Sequence, residues 1–329
     1  MRRLLLTAAT TTAAALTLAA CGTTEPAADK TDKAGKASEA LTLTDGSGKK
    51  VKLDGPATKV VATEWNVTES LVTLGVDPVG AADVKGYKTW DSAVPLQNEP
   101  KDIGTRGEPS MDTVASLSPD LVVATSDLPA AALKQLREIA PVLEVKSADG
   151  SDQIGQMLEN LDLIAEATGT TDKAKTARAG FEAKVTEGKK ALADADLAGA
   201  ELAFADGYVT GNQVSLRPYT SGSLLGSVNE RLGLKNAWKV KGDAAYGLGT
   251  TDVEGLTGLP KDTRFAYIGN DDDKSATPFT GVLAKNAVWK SLAFVKAGDV
   301  HRLPDGIWMF GGPGSMEAYI DALVDALTK

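Results

Sequence analysis

The sequence predicts two α/β lobes, each with a mainly parallel central sheet flanked by helices, joined by one long rigid α-helix. Three observations lead there. Strand-length apolar runs alternate with helix-length segments on both sides of the chain's middle, the grammar of largely parallel sheets. Between these halves lies a long, mostly polar helical stretch. The chain's 329 residues suffice for two domains with substantial cores.

The helical stretch covers residues 151–195. Met157, Leu158, Leu161, Ile164 and Ala165 recur at three- and four-residue spacing, the mark of an amphipathic helix. Gly169 is a C-terminal stop, and Thr171 or Asp172 can cap a second helix over 172–194. At 1.5 Å rise per residue that second helix is about 33 Å long. Its apolar stripe (Ala174, Ala177, Phe181, Val185, Leu192) is thin, with Lys, Glu and Asp around it. Such a helix is either exposed or spans two bodies. Its mid-chain position favours a strut, the alternative being a surface helix of a single domain.

The N-terminus stands apart. Arg2 and Arg3 precede an Ala- and Leu-rich run, Leu4 to Ala20, which reads as a secretory signal over residues 1–20. The run is short and threonine-diluted for a transmembrane anchor. The only cysteine, Cys21, follows Leu18-Ala19-Ala20 directly. That spacing resembles the lipobox of bacterial lipoproteins, in which Cys21 is acylated and becomes the mature N-terminus. No other cysteine remains for disulfides or thiolate chemistry. Residues 21–40, rich in Thr, Ala, Lys, Asp and Glu without an apolar period, read as a flexible tether.

In the first lobe, residues 41–150, Leu41–Thr44 and Val51–Leu53 flank Asp45-Gly46-Ser47-Gly48, a hairpin signal. Strands are expected at 59–63, 77–81, 120–124 and 142–145, with helices at 67–75, 110–117 (capped by Ser110) and 130–139. Residues 82–104 read as a long loop holding Tyr87 and Trp90. In the second lobe, residues 196–329, strands are expected at 201–205, 213–216, 264–268 and 300–303. Helices are expected at 221–232, around Trp289 and Leu292, and from Ser315 to about Leu327; Asp252-Val253-Glu254 opens a shorter one.

Catalysis finds little support. His301 is the only histidine, it falls in a strand, and no Gly-x-Ser-x-Gly elbow is present. One histidine and no free thiol exclude a three-histidine metal-capture site. Asp271-Asp272-Asp273 lacks calcium-loop spacing and reads as a solvated loop. Gly311-Gly312-Pro313-Gly314 before the last helix could hold an anion but lacks the Lys-Ser/Thr of a phosphate loop, so a tight packing turn is expected. A net charge of −9 and a pI near 4.9 argue against a nucleic-acid partner. Several aromatics, by contrast, fall in loops or at strand ends, where ligands bind an α/β sheet. With Arg106 and Arg217, one from each lobe, they suit a large, flat, partly anionic or carbonyl-rich ligand.

One segment is more specific. Gly104-Thr105-Arg106, Pro109-Ser110-Met111-Asp112 and Pro119-Asp120-Leu121-Val122 closely resemble a stretch of iron-siderophore substrate-binding proteins, the periplasmic binding proteins of bacterial ABC importers, here in lipoprotein form. Thr63-Glu64-Trp65, Leu74 to Gly80, Glu159-Asn160-Leu161 and Trp308 to Pro313 are similar to that family too. The resemblance implies two lobes around a helical connector, small lobe movements, and an intact ferric siderophore, of hydroxamate or carboxylate type, held between them. No cofactor is implied, since iron enters only inside its chelate, and the protein is expected to be no enzyme. Trp65, Tyr87, Trp90 and Arg106 then line the first lobe, opposite Arg217, Tyr219 and Trp308, with Tyr246 and Trp238 as weaker candidates. Asp112 and Glu254 match the acidic residues that dock the ABC permease, which couples to an ATPase, although aspartate is shorter than the usual glutamate at the first position. An extracytoplasmic, lipid-anchored monomer is implied. Two alternatives stand beside it: a haem or corrinoid carrier of the same superfamily, with Tyr87 or Met309 as axial ligand, and a histidine-dependent surface hydrolase around His301.

Overall fold

Apolar runs at strand length build the first sheet. The computed structural model describes residues 40–211 and 213–329; the expected signal segment, Cys21 and the tether up to residue 39 lie outside these. Five strands, β3 (Val60–Ala62), β4 (Gly80–Ala81), β5 (Lys101–Asp102), β6 (Leu121–Thr125) and β7 (Val142–Val145), form a wholly parallel sheet in the order β5-β4-β3-β6-β7. Every residue of β3, β6 and β7 is buried, as a sheet covered on both faces requires. The period of two divides them. Val60, Ala62, Leu121 and Val123 face α1 (Trp65–Thr73) and α5 (Gln153–Thr168), while Val61, Val122 and Ala124 pack with α3 (Met111–Ser116) and α4 (Ala130–Ile139). The hairpin β1 (Leu41–Thr44) and β2 (Lys50–Leu53) closes the first face with Leu43, Val51 and Leu53.

The second sheet repeats this logic with one addition. β8 (Glu201–Thr210) lies parallel to β10 (Lys235–Asn236) and β11 (Arg264–Tyr267), and β12 (Val300–Arg302) continues beyond β11. β9 (Gln213–Pro218) turns back antiparallel along the C-terminal half of β8. Phe204 and Ala266 face one core, Ala203 and Phe265 the other. Around Phe265 pack Phe294, stacked at 5.2 Å, and Trp289, edge-on at 5.6 Å.

The long helix α6 runs over Thr171–Asp194 behind the left-handed Gly169 that ends α5. Ala174 near its start belongs to the first lobe's core, and Phe181, Val185 and Leu192 belong to the second's. It is not alone. The terminal helix α10 (Pro313–Thr328) lies along it, and a Cβ on Gly188 would meet Ile320 at 2.7 Å, so only glycine permits that approach. One apolar cluster spans both lobes, running from Trp65 and Met157 to Phe204, Tyr219 and Tyr319.

Some expectations need correction. Residues 82–104 are not all loop: Asp83, in a left-handed conformation at φ 47°, caps helix α2 (Val84–Trp90) through Gly86 N, and β5 follows. A seven-residue helix has too little periodicity to be read. β8 runs five residues beyond Ala205 because β9 supplies hydrogen-bond partners to its polar end. The helix expected around Trp289 is two, α8 (Ala287–Ser291) and α9 (Ala293–Ala297), broken at extended Leu292 so that Trp289 and Phe294 both reach Phe265. Helix α7 begins at Leu224 rather than Ser221, capped by Ser223 onto Gly226 N at 3.0 Å. The two-residue β10 carries no strand signal.

Candidate functional site

The strand ends of both lobes face a cleft of about 490 Å³. On the first lobe, Glu64 closes β3 and caps α1, accepting from Trp65 N at 2.9 Å. Its Oε1 also accepts from Arg106 Nη1 at 2.8 Å. The guanidinium lies 4.0 Å above the Trp65 ring and 5.3 Å from that of Trp308. Trp65 and Trp308 meet edge to face at 4.7 Å, joining the two lobes beneath the arginine. Arg106 is thus held by charge, ring face and helix cap together, and its remaining N–H groups are left for a ligand. Asn66 also lines the cleft, and its buried Oδ1 accepts no hydrogen bond from the described residues.

The second lobe mirrors this arrangement with different parts. Arg217 on β9 pairs with Asp206 on β8, its cross-strand neighbour, through Nε at 2.9 Å and a second, very short contact from Nη2. Burial raises the Asp206 carboxyl, and Arg217 opposes that shift. Tyr219 OH reaches Asp206 at 3.3 Å and Met309 Sδ at 3.1 Å; burial, followed by the Asp206 charge, drives its phenol well above the ordinary range. Tyr208 and Phe310 flank the guanidinium at 5.6 and 5.3 Å. Across the mouth, Tyr246 of the second lobe donates to Asp127, which follows β6. Burial and the Asp127 hydrogen bond hold its phenol above the usual value, so it acts as the donor.

The sequence pattern of the periplasmic binding protein family matches residues 60–306, three quarters of the chain. The chain belongs to that family. Among curated relatives, this family member is 25% identical over 306 residues to a probable siderophore-binding lipoprotein of Bacillus subtilis (strain 168), covering 91% of this chain and 90% of the relative. It is 29% identical over 268 residues to an Fe(3+)-citrate-binding protein of the same organism, covering 79% and 77%. The Fe3+–Desferal-bound siderophore-binding protein FhuD from Vibrio cholerae shares the fold with a TM-score of 0.72 at 24% identity, over 82% of this chain and 98% of that one.

In this binding protein, Arg106, Arg217 and Trp308 line the cleft, and Trp65 and Tyr219 lie directly beneath the two guanidiniums. Tyr87 and Trp90 do not line it. Helix α2 turns Tyr87 inward, where its hydroxyl donates to Val94 O at 2.6 Å, and Trp90 packs half-buried against the core shared by the lobes. Trp238 is a core residue that donates to Phe204 O at 2.8 Å and packs on Phe265. Tyr246 does reach the cleft. Glu64, Asp127, Tyr208 and Phe310 line it without having been singled out as ligand residues. Phe310 stands two residues after Trp308, and Tyr208 shares a hairpin with Arg217, but neither signal separates a cleft residue from a core one. Asp112, in the first turn of α3, and Glu254, just before the turn Gly255–Gly258, are both exposed. His301 lies on β12, outside the cleft lining, and burial lowers its pKa.

The glycine turn before α10 combines both of its sequence readings. The helix start receives an anion, and that anion is the protein's own Glu69, buried on α1, which accepts from Gly312 N at 2.7 Å and Ser315 N at 2.9 Å. A Cβ on Gly311 would fall 2.1 Å from the Glu69 carboxylate.

Proposed function

We propose that this protein is the substrate-binding component of an ABC importer and captures an intact ferric siderophore between its lobes. The observation that carries this reading is the cleft: each lobe offers one guanidinium held by a carboxylate and set among aromatic rings, a surface suited to the oxygen-rich exterior of a chelate. The siderophore and ferric citrate binding for which those relatives are named supports it. In this reading residues 41–150 and 196–329 are the two half-sites, 151–195 holds their separation, and acylated Cys21 with the 21–40 tether anchors the protein outside the cell membrane. Among the described residues no helix is long and apolar enough to cross a membrane. Tyr87 and Met309, the candidate haem ligands, are both buried against internal partners, which favours the siderophore over the haem alternative.

Titration with ferric hydroxamates, ferric citrate and ferric catecholates should quench tryptophan fluorescence saturably, because Trp308 lines the cleft and Trp65 lies beneath it. No response across the panel rejects the reading. Arg106→Ala is expected to weaken binding by roughly tenfold or more while the melting temperature changes by only a few degrees, since the Glu64 pair is partly solvent-exposed. Unchanged affinity in that variant removes Arg106 from the site.

Asp112 and Glu254 are proposed to dock the permease, one from each lobe. Asp112→Arg and Glu254→Arg should abolish siderophore-stimulated ATP hydrolysis by the reconstituted transporter without changing ligand affinity. Full stimulation by both variants rejects the assignment.

A further inference from the structure

Resting on the ferric-siderophore reading, we infer that the cleft selects a chelate of zero or single positive charge, a ferric trihydroxamate, and that Asp127 receives a pendant ammonium group. The inference follows from where charge sits in the cleft. Both guanidiniums are already answered: Arg106 by Glu64 at 2.8 Å, and Arg217 by the two-point contact to buried Asp206. Among the described residues, the lining contains no lysine and no histidine. Asp127 adds a third carboxylate, and among the described residues no Lys or Arg forms an ion pair with it. Its carboxylate accepts from the Tyr246 hydroxyl, and its backbone N–H donates to Ser147 Oγ at 3.1 Å. Counting Asp206, buried beneath Arg217, three carboxylates therefore stand against two guanidiniums, in a protein of net charge −9.

Ligand charge discriminates among chelates. Each hydroxamate loses one proton on binding iron, so three of them cancel the charge of Fe3+. Three catecholates lose two protons each and leave a triply negative complex, and ferric citrate complexes are likewise anionic. A polyanion entering this cleft would lose hydration without finding an unpaired cation, and like charges brought together in a confined site cost affinity. A neutral trihydroxamate avoids that cost. It presents carbonyl and N–O oxygens to the free N–H groups of Arg106 and its hydrocarbon linkers to Trp308 and Phe310. A terminal ammonium on such a chelate can share the Asp127 carboxylate with the Tyr246 hydroxyl at the rim, where the two lobes already meet.

The test compares two probes that differ only at that terminus: Fe3+–Desferal, a linear trihydroxamate with a free primary amine, and its N-acetylated form. Titrated by tryptophan fluorescence at low salt, the wild-type protein should bind the amine form on the order of fivefold more tightly. The difference should shrink as salt is raised. Asp127→Asn should weaken only the amine form, bringing the two affinities together. Equal wild-type affinities, or tighter binding of ferric citrate or a ferric tris-catecholate than of either probe, overturn the inference. Tight binding of a polyanionic chelate alone leaves the siderophore reading standing and removes this one, whereas failure of every chelate removes both.

Discussion

Glu69→Ala is expected to destabilise the protein by about 2–4 kcal/mol, the cost of leaving two buried helix-start N–H groups unsatisfied. Glu69 is fully buried on α1 in the first lobe, and its carboxylate satisfies two N–H groups at the start of α10 in the second. Alanine leaves those donors without an acceptor and deletes the negative charge at the positive end of a helix dipole. The amides of Gly312 and Ser315 should then exchange with deuterium much faster than in the wild type, and the tie between α1 and α10 should loosen. A melting temperature within a degree of wild type contradicts this account. The neighbouring Asp91, which accepts from Ser315 Oγ at 3.0 Å, adds a pH dependence. Its carboxyl is raised well above the ordinary value by burial and then by the Glu69 charge. A carboxyl raised on folding contributes stability that is complete below its unfolded pKa, about 4, and is lost as pH rises through the folded value. Asp91→Asn stays neutral throughout, so its stability should decline less from pH 4 upward than that of the wild type. Parallel stability curves for the two proteins contradict it.

Arg217→Ala should cost about 3–5 kcal/mol, because it strands the charge of Asp206 in a buried position. Tyr219, at 3.3 Å, and a backbone N–H then remain as donors to it. Without the guanidinium, burial raises the Asp206 carboxyl unopposed, and the protein can escape the penalty by protonating it. The variant should therefore lie closest to wild type near pH 4 and fall progressively below it toward pH 8. Asp206→Asn combined with Arg217→Ala should recover part of the loss and flatten the pH profile. A penalty independent of pH points to lost packing of Arg217 against Tyr208 and Phe310 instead. Because Arg217 also lines the cleft, chelate affinity should be measured at low pH, where the fold is least perturbed.

Legibility in the sequence followed the range of the signal. Strands β3 and β6 are apolar runs up to the terminal Thr125, β7 is apolar but for Glu144, and α5 and α6 are long enough for their periods to stand out, so all five can be read locally. Helix α2 cannot, because seven residues carrying a glycine and two lysines show no stripe. The cleft was partly legible. Arg106 and Arg217 sit beside recognisable strand and glycine signals, whereas Tyr87 looked like a ligand residue only while its segment looked like a loop. Once α2 forms, Tyr87 Oη has an internal acceptor in Val94.

The sequence by itself determined the alternation of strands and helices, the long mid-chain helix and the membership of the family, because each is written in residues close together along the chain. Only the tertiary structure decided which side chains share the cleft and what the glycine turn before α10 holds. Glu64 with Arg106, Asp127 with Tyr246, and Glu69 with Gly312 are separated by 42, 119 and 243 residues. No local pattern specifies such pairs. They are selected when two lobes, bound by one apolar core and the α6–α10 pair, bring distant polar groups close enough for each to satisfy the other.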